Sequence, residues 1–154
     1  MLAIDSPQLG ILEFEESDIV TFPAGLPAFE EQRRFLLLDR EGLAPFRFLQ
    51  SVDRPDLMLV TVPVAAVAPG YHLEAPPEDL ERIGLAAWSQ PAAGEDVECL
   101  AVVTLPEDGP ATANLVAPIL VNWERRLAAQ VIQPEAGYSY AHPLWTAAEQ
   151  VREC

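Results

Sequence analysis

The 154 residues carry 24 acidic side chains against nine basic ones, a formal charge of −15 at pH 7, and half of the chain is hydrophobic. A chain so acidic is repelled by nucleic acid and anionic lipid and drawn to basic partners, while its apolar half suits one sizeable core of a single domain rather than a disordered chain. No run approaches the roughly 18 apolar residues of a membrane helix, Met1–Asp5 lacks the features of a secretory signal, and the distant Cys99 and Cys154 suggest no disulfide framework, so a cytosolic protein is expected.

Fifteen prolines and eight glycines predict short elements joined by tight turns. Leu9–Phe14 and Asp18–Phe22 flank the acidic Glu15-Glu16-Ser17 and read as a hairpin. Thr21-Phe22-Pro23-Ala24-Gly25-Leu26-Pro27-Ala28-Phe29-Glu30 follows. Its prolines fix φ and remove two backbone donors, and Gly25 between them can take positive φ. Phe22, Leu26 and Phe29 are too apolar for a solvated loop, so the stretch reads as a rigid corner pinned to a core. Phe35–Leu38, Phe46–Val52 and Leu57–Val62 are strand-like, the last expected to be buried on both faces. Asp53-Arg54-Pro55-Asp56 is the turn between two of them.

Pro77–Leu85 is the best helix, with Pro77 at its first position, Glu78, Asp79 and Glu81 near the positive end of the dipole, and Gly84 closing it. Gln90–Asp96 is a loop and Val97–Leu105 a central strand. In Thr112–Trp123 the residues Ala113, Leu115, Ala117, Ile119, Val121 and Trp123 share one face at period two, with a bulge or sheet edge required at Pro118. Asn114 and Asn122 then share the opposite face with Val116, Pro118 and Leu120, either satisfying irregular backbone or forming an apolar and amide patch for a partner. Leu127–Ile132 is a further strand, and Thr146-Ala147-Ala148-Glu149 has the form of a capping box. The sum is a mainly β fold, a compact antiparallel barrel or sandwich with one or two short helices over residues 1–145, and a short tail over 146–154.

Chemistry is sparse. There is no phosphate loop, no nucleophile elbow and no lysine, and His72, His142, Cys99 and Cys154 lack zinc-ligand spacing. Neither a catalytic residue nor a cofactor is expected. Asp53 and Asp56 are closely paired acids, better suited to shaping a turn or meeting an arginine than to holding calcium. A rival reading is a small hydrolase or ligand-binding barrel in which Asp53, Asp56 and His142 converge on one pocket. The excess of acids is densest in residues 61–110, with nine acids and one arginine.

Four segments resemble, in order, the blocks of the FliW family of flagellar assembly factors. They are Thr21–Glu30, Phe48–Leu57, Val103–Asp108 with Thr112–Asn122, and Gln130–Ile132 with His142–Leu144. The resemblance spans roughly residues 10 to 145, and it implies a barrel-like all-β fold without enzymatic activity. It further implies two protein partners, flagellin and the RNA-binding translational repressor CsrA. The chemistry of the residues themselves makes Leu26, Phe29, Glu30, Asp53, Asp56, Asn114, Pro118, Asn122 and His142 the candidate contact residues. Two positions depart from the family pattern. Ala28 stands where glycine is expected, and Ala141 where arginine is expected before His142-Pro143.

Overall fold

Short apolar runs ended by proline and glycine leave little room for long helices, and strands dominate. The computed structural model describes residues 1–86, 97–133 and 137–144. Its strands are β1 (Leu2–Ser6), β2 (Gly10–Phe14), β3 (Val20–Thr21), β4 (Arg34–Asp39), β5 (Arg47–Ser51), β6 (Met58–Pro63), β7 (Glu98–Thr104), β8 (Thr112–Ala113), β9 (Ile119–Asn122), β10 (Leu127–Gln130) and β11 (His142–Pro143). Two short helices, α1 (Val64–Val67) and α2 (Pro77–Arg82), lie between β6 and β7.

Seven strands close into a barrel in the order β7-β6-β5-β4-β3-β10-β9, with β9 returning to β7. Every pairing in the ring is antiparallel except β3 with β10, which are parallel and joined at Leu127↔Thr21. β7 is the lapping strand. Its first residues pair with β9, while Val103 and Thr104 pair with β8, which in turn carries β11. Of the mainly β barrel or sandwich expected from the sequence, the barrel is the observed architecture, antiparallel but for the β3–β10 pair.

The period-two alternation of the strands divides the apolar side chains between two cores. Val20, Phe35, Leu49, Leu100, Ile119, Val121 and Ala128 fill the barrel. From the same strands Cys99, Ala101, Leu120 and Ala129 point outward, and Leu80 and Ile83 of the α2 segment cover them. A third, smaller cluster of Phe14, Ile19 and Leu36 seats the β1–β2 hairpin on the outside of β4. Cys99 is buried, and burial pushes its thiol up to about 12, so it is a core residue and not a nucleophile at neutral pH.

The structure corrects several expectations. β2 pairs with β1 and not with β3. The acidic segment closes on itself instead, Asp18 N–H bonding Glu15 O at 2.9 Å and Glu15 N–H bonding the Asp18 carboxylate at 2.8 Å. That 3-10 turn sends β3 away from the hairpin and into the barrel. Thr112–Trp123 is two strands, because the chain leaves the ladder after Ala113 and rejoins it at Ile119. Met58, Leu59 and Val60 are only half-buried, so Leu57–Val62 is not covered on both faces. α1 falls on Val64–Val67, for which no element was expected. The proposed loop at Gln90–Asp96 and the capping box at Thr146–Glu149 lie outside the described residues.

Candidate functional site

The apolar corner after β3 is a closed loop built from three successive turns. Phe22 N–H bonds Arg33 O at 2.7 Å across its neck. Within it Gly25 N–H bonds Phe22 O at 2.9 Å, Phe29 N–H bonds Leu26 O at 2.8 Å, and Gln32 N–H bonds Phe29 O at 3.0 Å. The first two turns each place proline at the second position, where its fixed φ is already correct. Ala28 follows Pro27 with φ 70°, the left-handed conformation that the third position of a type II turn demands. Gly25 has φ +68°, and a Cβ there would stand 2.4 Å from the backbone oxygen of Glu30. Compact loops whose ends meet and whose own side chains pack them are often functional.

Two side chains anchor this loop. Phe22 is fully buried, its ring edge-on to Phe35 with centroids 5.1 Å apart, and Leu26 is 2% exposed. Leu26, proposed as a contact residue, is thus an anchor. Phe29 is only half-buried. It packs against the barrel core with the Arg54 guanidinium over its ring at 5.7 Å. Arg54 also donates to Asp56 at 3.1 Å. Arg34 holds Asp53 in a fork of two bonds, 2.7 and 3.1 Å. The hydrogen bond from that guanidinium keeps the Asp53 carboxyl below its usual range. Ser51 Oγ accepts from Arg54 N–H at 3.0 Å and donates to Gln32 of the loop at 3.3 Å. The Phe29 corner and the Asp53–Asp56 turn, separate in sequence, therefore form one surface.

Behind that turn lies Gln50, fully buried, whose amide N–H groups reach the carbonyls of Ser51, Pro55 and Leu57. It fixes the turn's backbone from beneath. The arginines Arg34 and Arg54, which organise this surface, were not singled out from the sequence. Their spacing carries no motif, and only the β4–β5 register brings Arg34 beside Asp53.

On the loop's other flank is a cleft of about 380 Å³. Ala24, Gly25, Pro27 and Glu30 form one wall, Asp79 and Arg82 of α2 the other, and Gln130 and Ile132 the floor. Glu30 is exposed. Asp79 is bonded to Arg82 at 2.8 Å, and burial raises its carboxyl above the usual range.

The remaining candidates are elsewhere. Asn114 Oδ1 accepts from Val116 and Ala117 N–H at 3.0 and 3.1 Å, organising the break between β8 and β9. Asn122 is 5% exposed and donates to Ile83 O at 2.8 Å, tying β9 to α2. Pro118 is buried, its carbonyl accepting from Val131. The shared outer face of Asn114, Pro118 and Asn122 does not form, because the chain turns between them. His142 sits on β11, paired with Ala113. β11 is three strand positions from β6, about 14 Å at the roughly 4.8 Å ladder spacing. Asp53 and Asp56 each hold an arginine, so the pocket required of a hydrolase is not assembled from these three residues. Among the described residues no three His, Cys, Asp or Glu side chains are grouped as a metal would need.

Residues 3–144 match the family model described as FliW protein. The chain is 39% identical over 145 residues to the flagellar assembly factor FliW of Syntrophomonas wolfei, covering 94% of this chain and 89% of that one. It is 36% identical over 146 residues to the same-named factor of Natranaerobius thermophilus, covering 94% and 93%. A crystal structure of the flagellar assembly factor FliW superposes with a TM-score of 0.80 at 34% identity, over 94% of this chain and 98% of that one.

The loop and its flank can be tested by three substitutions. Gly25→Ala must accommodate both a positive φ and a backbone clash, and should lower unfolding free energy by at least about 2 kcal/mol in urea titration. Ala28→Gly relieves strain of about 1 kcal/mol but enlarges unfolded-state entropy by a similar amount, so it should stay within about 1 kcal/mol of the parent. Asp53 has a folded pKa below its unfolded value, so its contribution is full above the unfolded pKa and is lost as pH falls through the folded one. Asp53→Asn should cost under about 1 kcal/mol at pH 7, since the pair is exposed, and the difference should vanish in strong acid.

Proposed function

The chain belongs to the FliW family of flagellar assembly factors, and on that premise we propose that it works by holding other proteins, not by catalysis. Its partners in this reading are flagellin and the translational repressor CsrA, bound in mutually exclusive fashion in the cytosol. Flagellin accumulating there occupies the factor, and freed CsrA represses flagellin translation. Secretion of flagellin reverses the exchange. The observation that carries the reading is the Phe29 surface, a half-exposed aromatic ring held rigid by a triply turned loop and bordered by the Arg54–Asp56 and Arg34–Asp53 pairs. Rigid aromatic and arginine groups are the usual anchors of protein interfaces, because little entropy is lost in presenting them.

Charge supports the choice of a basic RNA-binding partner. Glu78 and Glu81 on α2 and Glu107 and Asp108 after β7 are exposed, all within the acidic stretch Glu74–Asp108. A domain of charge −15 seated on a basic RNA-binding surface attracts that surface and disfavours RNA beside it by like-charge repulsion.

Two measurements test the reading. Affinity for CsrA should fall clearly between about 0.01 and about 0.15 M salt, as the screening length shrinks from about 30 to about 8 Å; a salt-independent association constant removes the electrostatic part. Phe29→Ala should weaken capture of flagellin in co-purification by about tenfold or more, the loss of a central aromatic anchor. A folded variant that captures flagellin unchanged takes Phe29 out of the site.

A further inference from the structure

β10 continues as extended chain to Gln133. Val131 N–H bonds Pro118 O and Gln133 N–H bonds Val116 O, both at 2.8 Å. Alternate residues of a strand direct their backbone groups to opposite sides. Those of Ala128, Gln130 and Ile132 therefore face away from β9, toward β3. There the neighbouring strand runs out. β3 meets β10 at the single pair Leu127↔Thr21, with Thr21 N–H bonding Arg126 O at 2.9 Å. Phe22 gives its N–H to Arg33 O on the β4 side, and Pro23, the next residue due to face β10, has no N–H. Past Thr21 the edge of β10 has no strand beside it among the described residues. At Gln130 and Ile132 it opens on the cleft between the loop and α2.

We propose that this edge is a strand-addition site: an extended segment of a basic partner protein pairs with the backbone of Gln130 and Ile132 and places a lysine or arginine against Glu30 and Asp79. An open edge is a template for another strand, and main-chain hydrogen bonds supply affinity where side-chain pockets supply specificity. Natural edges are commonly blunted by a lysine, a proline or a covering loop. This chain has no lysine, and its Pro27 stands in the cleft wall, not in β10. Ile132 is 53% exposed and offers an apolar contact along the edge. The walls give the sign of the charge. Glu30 is exposed with no ion pair among the described residues, and Asp79 is shared with one arginine, Arg82. Glu30 and Asp79 against Arg82 leave the walls one negative charge in excess, which an acidic partner would oppose and a basic one neutralises. The Phe29 flank takes no part, so the edge can be occupied whether or not the Phe29 surface binds flagellin.

The probe is a terminally blocked hexapeptide of alternating valine and lysine, titrated into uniformly 15N-labelled protein and followed by amide shifts and hydrogen exchange. The Gln130 and Ile132 amides should shift and gain protection, and the valine–glutamate counterpart should not bind. N-methylation of the peptide's edge-facing amides should weaken binding by about fivefold or more, the worth of one backbone hydrogen bond. Ile132→Pro removes a donor from the edge and should do the same, and Glu30→Lys should lower the preference for the basic peptide. Both variants are scored only if the rest of the spectrum is unchanged. Equal binding of the N-methylated peptide overturns strand pairing. Shifts confined to Phe29 and Arg54 place the peptide on the other flank and overturn the site. Gln130 and Ile132 amides already protected in the free protein would mean that the chain covers its own edge, and the proposal fails.

Discussion

The ring of Phe22 is fully buried in the barrel against Phe35, while its backbone is claimed from two directions, N–H by Arg33 and C=O by Gly25. That N–H lies on the β4 side, and Pro23, the next residue whose groups would face β10, has no N–H with which to continue the second ladder. Together the two residues end β3, close the neck of the loop and fix where Phe29 emerges. The Phe29 surface and the cleft beside β10 are the two flanks of that one decision. Burying an aromatic side chain of this size is worth about 1.5–3 kcal/mol, enough to hold a turn sequence that contains one left-handed alanine.

Electrostatics are organised around the same elements. Four of the nine arginines are held by acids of the same chain: Arg34 by Asp53, Arg54 by Asp56, Arg82 by Asp79, and Arg47 by Asp39 and Glu98. Glu98 also accepts from the Trp123 indole at 2.6 Å, closing one end of the barrel with charge and hydrogen bonds in place of apolar side chains. Arg126 lies over the Trp123 ring at 4.9 Å. Because these cations are engaged beside acids, the exposed Glu78, Glu81, Glu107 and Asp108, which have no ion pair among the described residues, carry their charge outward. Arginine suits this use better than lysine would, since its fork can hold a carboxylate and stack on a ring at once.

Much of this was legible in the residues. The punctuation of Thr21–Glu30 announced a rigid, core-pinned corner, and Pro77 with Gly84 marked α2 to within a few residues, with Leu80 and Ile83 inward as their spacing implies. The glycine expected at position 28 has its physical reason in the φ that Ala28 adopts. The partner of β2 was not legible, because alternation marks a strand without saying which neighbour it takes. Nor was the meeting of Phe29 with Arg54, since a contact between a loop and a distant turn depends on barrel closure. Asn114 and Asn122 were read on one face because period-two alternation was carried through Pro118, with a bulge or a sheet edge allowed there. Asn114 instead captures two backbone amides and breaks the strand.

The parallel seam between β3 and β10 has a consequence for how the chain reaches this form. Every other junction of the ring except that of β7 with β6 joins strands close in sequence, but the seam unites Thr21 with Leu127. Contacts so distant in the chain repay their loop-closure entropy late. On the ribosome, the ring cannot be complete until β10 has emerged, and until then the growing chain presents β3 with one side unpaired. The turns of the loop that follows β3 are closed by hydrogen bonds local in sequence. The loop's final orientation against α2 and β10 waits for the last part of the barrel to be made.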